Sequence, residues 1–194
     1  MNKIDHAPPT ELDTGSTTKL EHTASVQRVL LTVPGGQLVC PTLVLCDRGD
    51  GGHLVVNPPR RVWERNCLKP SELALWSLLV AATGQAMLDE LPQLAGGCLN
   101  YWEAGNWALH AQAQPIGPKD VHAHRQVHLH VFGRGRHARH PDWQWGESPR
   151  FPMHSQRLNW ASEQQALSES ECNAVAQRCS VLFKRYHKEM GEHQ

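Results

Sequence analysis

The sequence predicts an α+β fold: an antiparallel sheet of about five strands, one long helix between the early strands and the last two, and an additional C-terminal helix. Three observations carry this. Short β-branched runs follow one another across tight proline and glycine turns between Val29 and Val56, a spacing that suits antiparallel pairing. One segment of about twenty residues repeats its apolar positions at helical spacing. Near the end, Ser168 and Glu171 form a capping box that opens a second helical stripe.

The elements follow in order. Residues 1–25 combine Pro8, Pro9, Gly15 and a Ser-Thr-Thr run with charges of both signs, too little apolar surface to offset the entropy of ordering, so a mobile tail is expected. A domain over 26–136 begins with the runs Val29-Leu30-Leu31-Thr32-Val33, Leu38-Val39-Cys40, Leu43-Val44-Leu45-Cys46 and His53-Leu54-Val55-Val56, each read as a strand. Pro34-Gly35-Gly36, Pro41 and the segment from Asp47 to Gly52 are the turns between them. Ser71, after Pro70, is the expected N-cap of the long helix, with Glu72 on the favourable end of its dipole and Leu75, Leu79, Ala82 and Ala86 on one face. Two more strands, Gly97 to Trp102 and Gln126 to Phe132, flank a long polar loop of the kind that usually carries function. Residues 137–194 form an irregular tryptophan-bearing segment and a helix packed on the domain through Cys172, Val175, Cys179, Leu182 and Tyr186.

Composition narrows the function classes. At 194 residues, one domain with its own core is expected. Lysine plus arginine equals aspartate plus glutamate, 19 each, which argues against a general nucleic-acid binder or a membrane-surface protein. No apolar run of about 18 residues is expected to span a bilayer, and six cysteines without a CxxC pair read as reduced thiols of a cytoplasmic protein. The histidines concentrate between His110 and His140, which marks that stretch as the place for chemistry.

In an extended strand Gln126, His128 and His130 share one face, and Val127, Leu129 and Val131 share the other. Histidines two apart on a presented face suit two chemistries: holding a metal, or attacking and holding a phosphate. His122, His124, His128 and His130 offer donors for zinc, but no cysteine pair brackets them, so neither a metal nor another cofactor is expected.

The segment Gln126-Val127-His128-Leu129-His130-Val131-Phe132 resembles the signature of the histidine-triad (HIT) family, three histidines each followed by an apolar residue. Upstream, Gly51-Gly52-His53-Leu54-Val55-Val56-Asn57-Pro58-Pro59-Arg60 is similar to that family's glycine-histidine-leucine strand and its following turn. The likeness spans about residues 37–134. It implies a HIT-like fold, a homodimer, and a nucleotidyl hydrolase or transferase in which a central histidine attacks the α-phosphorus of a nucleoside phosphate or dinucleotide conjugate. His128 matches that nucleophile and His130 the third histidine, which hydrogen-bonds the phosphate. Asn100 and Asn106 fall near where the family places substrate-contacting polar residues. The departure is Gln126 in place of the first histidine, whose amide offers a donor and whose backbone carbonyl can orient the nucleophile, but which carries no proton at pH 7. His122 and His124 are candidate substitutes for it.

Two other functions stay open on the sequence. One is a nucleotide-binding or sensing protein that has lost turnover with the first histidine, and the other is a nucleotidyltransferase of the hexose-phosphate uridylyltransferase type. His53 either faces the site as a substrate-binding residue or caps its strand. Trp102, Trp107, Trp143 and Trp145 either stack a base or fill a core, and Arg134 and Arg136 either clamp a phosphate or end the strand in solvent.

Overall fold

The computed structural model describes residues 27–192, so the tail expected over 1–25 lies outside the described residues. Its sheet has five antiparallel strands: β1 (Arg28–Val33), β2 (Gly36–Cys40), β3 (His53–Asn57), β4 (Cys98–Ala104) and β5 (His128–Arg134). Their order is β1-β2-β3-β5-β4, which puts the histidine-bearing strand between two neighbours. The long helix α1 (Pro70–Glu90) joins β3 to β4. A one-turn helix α2 (Val121–His124) precedes β5, and α3 (Arg157–Ser162) and α4 (Glu169–Gly191) follow it.

One face of the sheet carries the larger core. Leu54 and Val56 of β3 and Leu129 and Val131 of β5 are buried there with Trp76, Leu79, Ala82 and Met87 of α1 and Cys172, Val175 and Leu182 of α4. Trp76 also donates its indole N–H to the Val56 carbonyl at 3.3 Å. By length and composition alone α1 could cross a membrane, since it bears no charge between Glu72 and Asp89 and has a mean hydropathy of 1.2. That departs from the expectation that no segment would reach this threshold. Here it is the central core helix, lying between the sheet and α4.

Helix caps follow the sequence with one displacement. Pro70 occupies the first turn of α1 and Lys69, not Ser71, is the N-cap, its backbone N–H donating to Glu72 Oε2 at 2.8 Å. The fixed φ of proline and its missing N–H make Pro70 a natural first helical residue, which moves the cap one place ahead of it. For α4, Ser168 accepts from the Glu171 N–H at 3.2 Å and Glu171 accepts from the Ser168 N–H at 2.7 Å, as the capping box predicts.

The run Leu43-Val44-Leu45-Cys46 is not a strand. Val44, Leu45 and Cys46 are buried and Leu43 is half-buried, but the backbone bonds to side chains instead of a ladder: the Leu45 N–H donates to His53 Nδ1 at 3.2 Å, and the Leu45 carbonyl accepts from Trp160 Nε1 at 3.0 Å. This run belongs to a second, smaller core on the opposite sheet face, with Phe132, Trp143, Phe151 and Trp160. The segment after β5 therefore folds back over half of the histidine face. Asp50 anchors it by accepting from the backbone N–H groups of Arg139 and His140 at 2.6 and 3.1 Å. Where the 47–52 turn crosses the end of β5, Gly51 and Gly133 meet backbone to backbone. A Cβ on Gly133 would lie 2.1 Å from the Gly51 carbonyl oxygen, so side chains are excluded on both sides of the crossing.

Candidate active site

Period-two alternation sorts the strands into faces, and pairing register brings the outward faces together. His130 sits opposite Val55 of β3 and Trp102 of β4, and His128 sits opposite Ala104. Toward the covered end, Phe132 lies opposite His53 and Asn100. Past that cover the face opens into a cleft of about 670 Å³ whose floor includes Val55, His128 and His130 and whose rim includes Asn57, Asn106 and Trp107.

The three imidazoles form a hydrogen-bonded row. His53 Nε2 lies 2.7 Å from His130 Nδ1, and His130 Nε2 lies 3.1 Å from His128 Nε2. The two ends of the row determine its direction. At one end the Leu45 N–H donates to His53 Nδ1, so the proton of His53 is on Nε2 and is given to His130. At the other end His128 Nδ1 lies 2.9 Å from the Gln126 carbonyl, which only accepts, so the proton of His128 is on Nδ1. His130 then carries its proton on Nε2 and offers it to the lone pair of His128 Nε2. That lone pair accepts from His130 beside the cleft that both rings line, and once His130 turns aside it is the row's nucleophilic terminus.

Burial also keeps the row neutral. It holds His53 well below the usual imidazole range, with the neighbouring imidazoles adding to the effect. His130 is pushed down to about 3 by burial and by His128. His128 is lowered by burial, which outweighs the opposing bond to the Gln126 carbonyl. An uncharged imidazole is the form with a free lone pair, so the environment favours the nucleophilic state at neutral pH. The row is further held in stacks: His53 lies on Phe132 with centroids 4.5 Å apart, and Trp102 lies between His130 and Phe151 at 5.4 and 4.4 Å.

The approach to β5 is pinned as well. The Val127 N–H donates to the Val62 carbonyl at 3.0 Å, and Arg125 reaches Glu64 Oε2 at 2.9 Å and the carbonyl of Trp63. Arg125 Nε also donates to Asn106 Oδ1 at 3.1 Å. With its oxygen so engaged, Asn106 has its amide NH2 left to offer to the cleft.

Of the expected site residues, His128, His130, Gln126, His124 and Asn106 line the cleft together. Two others do not. His53 is 1 % exposed and lies behind His130, so it acts on the row and not on a bound molecule. Asn100 shares the histidine face but lies beyond Trp102 under the covering segment, where its Oδ1 faces Arg134 at 3.4 Å. Gln126 precedes β5 and is exposed, so its link to the nucleophile runs through its backbone carbonyl and not through strand alternation. His122 turns away and packs edge-on against Trp63.

Arg134 is buried and donates to the Gln144 carbonyl, and Arg136 donates to the Gly96 carbonyl; neither lines the cleft. Trp102 and Trp107 are cleft-wall residues, whereas Trp143 is core and Trp145 lies at the surface under Arg136. Sequence reasoning does not single out Thr42, Asn57 or Arg157, which also line the cleft. Asn57 was within reach, being on the same strand face as His53 and Val55. Arg157 comes from a segment with no periodicity, so nothing local marks it.

Among the described residues, no aspartate or glutamate side chain lines the cleft, while Arg157 and three imidazoles do. Such a lining favours an anionic guest. No protein-family model matches the chain, and no characterised protein matches its sequence.

Proposed function

We propose that this chain is a nucleotidyl hydrolase of the histidine-triad kind, acting at the α-phosphate of a nucleoside phosphate or dinucleotide conjugate. The observation that supports it is the one-way row of neutral imidazoles ending on a lone pair at His128 Nε2, beside a cleft that no carboxylate of the described residues lines.

The chemistry follows from those atoms. His128 Nε2 forms a bond to phosphorus as the bond to the leaving group breaks, and the leaving group departs with the bonding pair. The positive charge that develops on the ring is stabilised by its Nδ1–H, which donates to the Gln126 carbonyl. His130, no longer facing a lone pair, turns its Nε2–H onto a phosphate oxygen, joined there by the Asn106 amide. Water then attacks phosphorus, a proton is released, and the nucleoside monophosphate leaves a neutral His128. The apolar floor at Leu43, Leu45 and Val55 suits a base and ribose.

Intact-mass analysis after incubation with a panel of nucleotide conjugates should show an acid-labile nucleotide adduct that is lost in His128→Ala. Full turnover by His128→Ala would sink the mechanism. The exposed Gln126 side chain, unable to carry a proton, favours a second reading as a nucleotide-binding protein without turnover. A large gain in rate in Gln126→His, from a parent that binds but does not turn over, would select it.

The proposed cellular setting is the cytoplasm: all six cysteines are free, four of them buried, which suits a reducing compartment. A homodimer is part of the same proposal. The outer edge of β4, with Tyr101 49 % exposed, is available for a second copy to pair.

A further inference from the structure

We infer that Arg157 determines the leaving group: the cleft is built for substrates whose α-phosphate is joined to an anionic group, a second phosphate in an acid-anhydride link, in preference to an amine or an alcohol. This rests on the nucleotidyl reading above and names the substrate class within it.

Arg157 belongs to α3, in the segment that folds back over the sheet, and its side chain lines the same cleft as His128. It is held from one side only. Its Nη1 donates to the His154 carbonyl at 2.5 Å and to His154 Nδ1 at 3.2 Å. His154 is itself fixed, 8 % exposed and stacked on His110 with centroids 4.0 Å apart. Among the described residues Arg157 forms no ion pair, and its Nε and Nη2 have no protein acceptor. Arg60, Arg65, Arg125 and Arg178 each meet a carboxylate, and Arg61, Arg134 and Arg136 donate to backbone carbonyls, but none of these seven lines the cleft. A positioned guanidinium with two free donor sites, in a cleft that no carboxylate of the described residues lines, is completed by an anion on the guest.

Proton supply points the same way. An amine or an alkoxide leaves phosphorus only with a proton, whereas a phosphate leaves as a stable anion. In the imidazole row each proton is committed to the next acceptor, and the last goes to the Gln126 carbonyl. At the position where a titratable group could have stood, Gln126 has no proton to transfer. The balanced step needs none: the P–O bond to the second phosphate breaks, its electron pair departs on that phosphate oxygen, and the Arg157 guanidinium neutralises the charge.

Three substrates of one nucleoside separate the possibilities: the 5′-diphosphate, the 5′-phosphoramidate, and the 5′-(4-nitrophenyl) phosphate, whose leaving group needs neither proton nor strong cation. Turnover of the nitrophenyl ester by wild type, lost in His128→Ala, tests the underlying reading alone, and its absence overturns that reading. Given that turnover, wild type is expected to prefer the diphosphate over the phosphoramidate. Arg157→Ala should lower kcat/KM for the diphosphate by about 10- to 100-fold, with partial recovery in Arg157→Lys and less than about threefold change on the nitrophenyl ester. An equal loss on all three substrates, or a wild-type preference for the phosphoramidate, overturns the role of Arg157. Retained nitrophenyl turnover in the variant shows that it has folded.

Discussion

His53 makes no contact with the cleft, yet the hydrogen-bond row predicts that it controls the nucleophile. Two substitutions separate its two bonds. In His53→Asn the side-chain oxygen falls near the position of Nδ1 and can still accept from the Leu45 N–H, while the donor to His130 is gone. In His53→Gln the amide nitrogen falls near the position of Nε2 and can still donate to His130, while the buried Leu45 N–H loses its acceptor. A buried donor or acceptor left unpartnered costs about 1–3 kcal/mol. Asparagine adds the loss of a ring packed on Phe132 at 4.5 Å and His130 at 5.0 Å, on the order of 1–2 kcal/mol.

His53→Asn should therefore lose about 2–5 kcal/mol and His53→Gln about 1–3 kcal/mol of stability in urea denaturation. Activity is expected to divide them. Without the donor at its Nδ1, His130 is free to take the other tautomer, which presents a lone pair to His128 Nε2 and withdraws the N–H meant for the phosphate. Outright loss of one such donor costs about 100- to 1,000-fold in kcat and a redistributed tautomer loses only part of it, so His53→Asn should fall about tenfold or more in kcat, with His53→Gln falling less. A ring-nitrogen NMR spectrum reads the same event without a substrate: wild type shows His130 protonated at Nε2 and His128 at Nδ1, and His53→Asn shows His130 redistributed. If His53→Asn keeps kcat within twofold and leaves the ring-nitrogen pattern unchanged, the row does not orient the nucleophile.

Further outcomes follow from the same structure. Because His128 must be neutral to attack and its pKa is lowered by burial, kcat/KM should be flat from pH 8 to about 6.5 and decline only at lower pH; a decline centred above pH 6.5 would contradict the burial effect. In stability the folded-state pKa of His130, about 3, lies below the unfolded 6.5, so the unfolded chain binds the proton first. Stability is then complete above pH 6.5 and falls by up to about 1.4 kcal/mol per pH unit on acidification toward pH 3, visible as a lower urea midpoint at pH 5.5 than at pH 7.5. Gly133→Ala places a methyl 2.1 Å from the Gly51 carbonyl oxygen and should cost about 2 kcal/mol or more, because two backbones must part; a melting temperature unchanged within 1 °C would refute the close crossing.

Element types were legible in the sequence wherever a single period or a local cap decides them. Alternation in His53–Asn57 and His128–Arg134 places the imidazoles opposite the core, helical spacing marks α1, and Ser168 with Glu171 marks the start of α4. These signals lie within a few residues of one another and survive without tertiary context. The run from Leu43 to Cys46 reads as a strand by the same rules and is not one, because Trp160, 115 residues further on, and the ring of His53 take its backbone groups. Which histidine touches a guest and which stands behind it was likewise a tertiary outcome. Pairing register sets His53 beside Phe132 under the cover of Trp143 and Phe151, and leaves His128 at the open end. Arg157 reaches the cleft only because the tryptophan-bearing segment folds back over the sheet, a long-range closure with no local spacing to announce it. Sequence by itself determined the chemical kind of the site, imidazoles on one strand face. The fold decided the direction of their hydrogen bonds and the charge they meet, because both depend on groups brought together from distant parts of the chain.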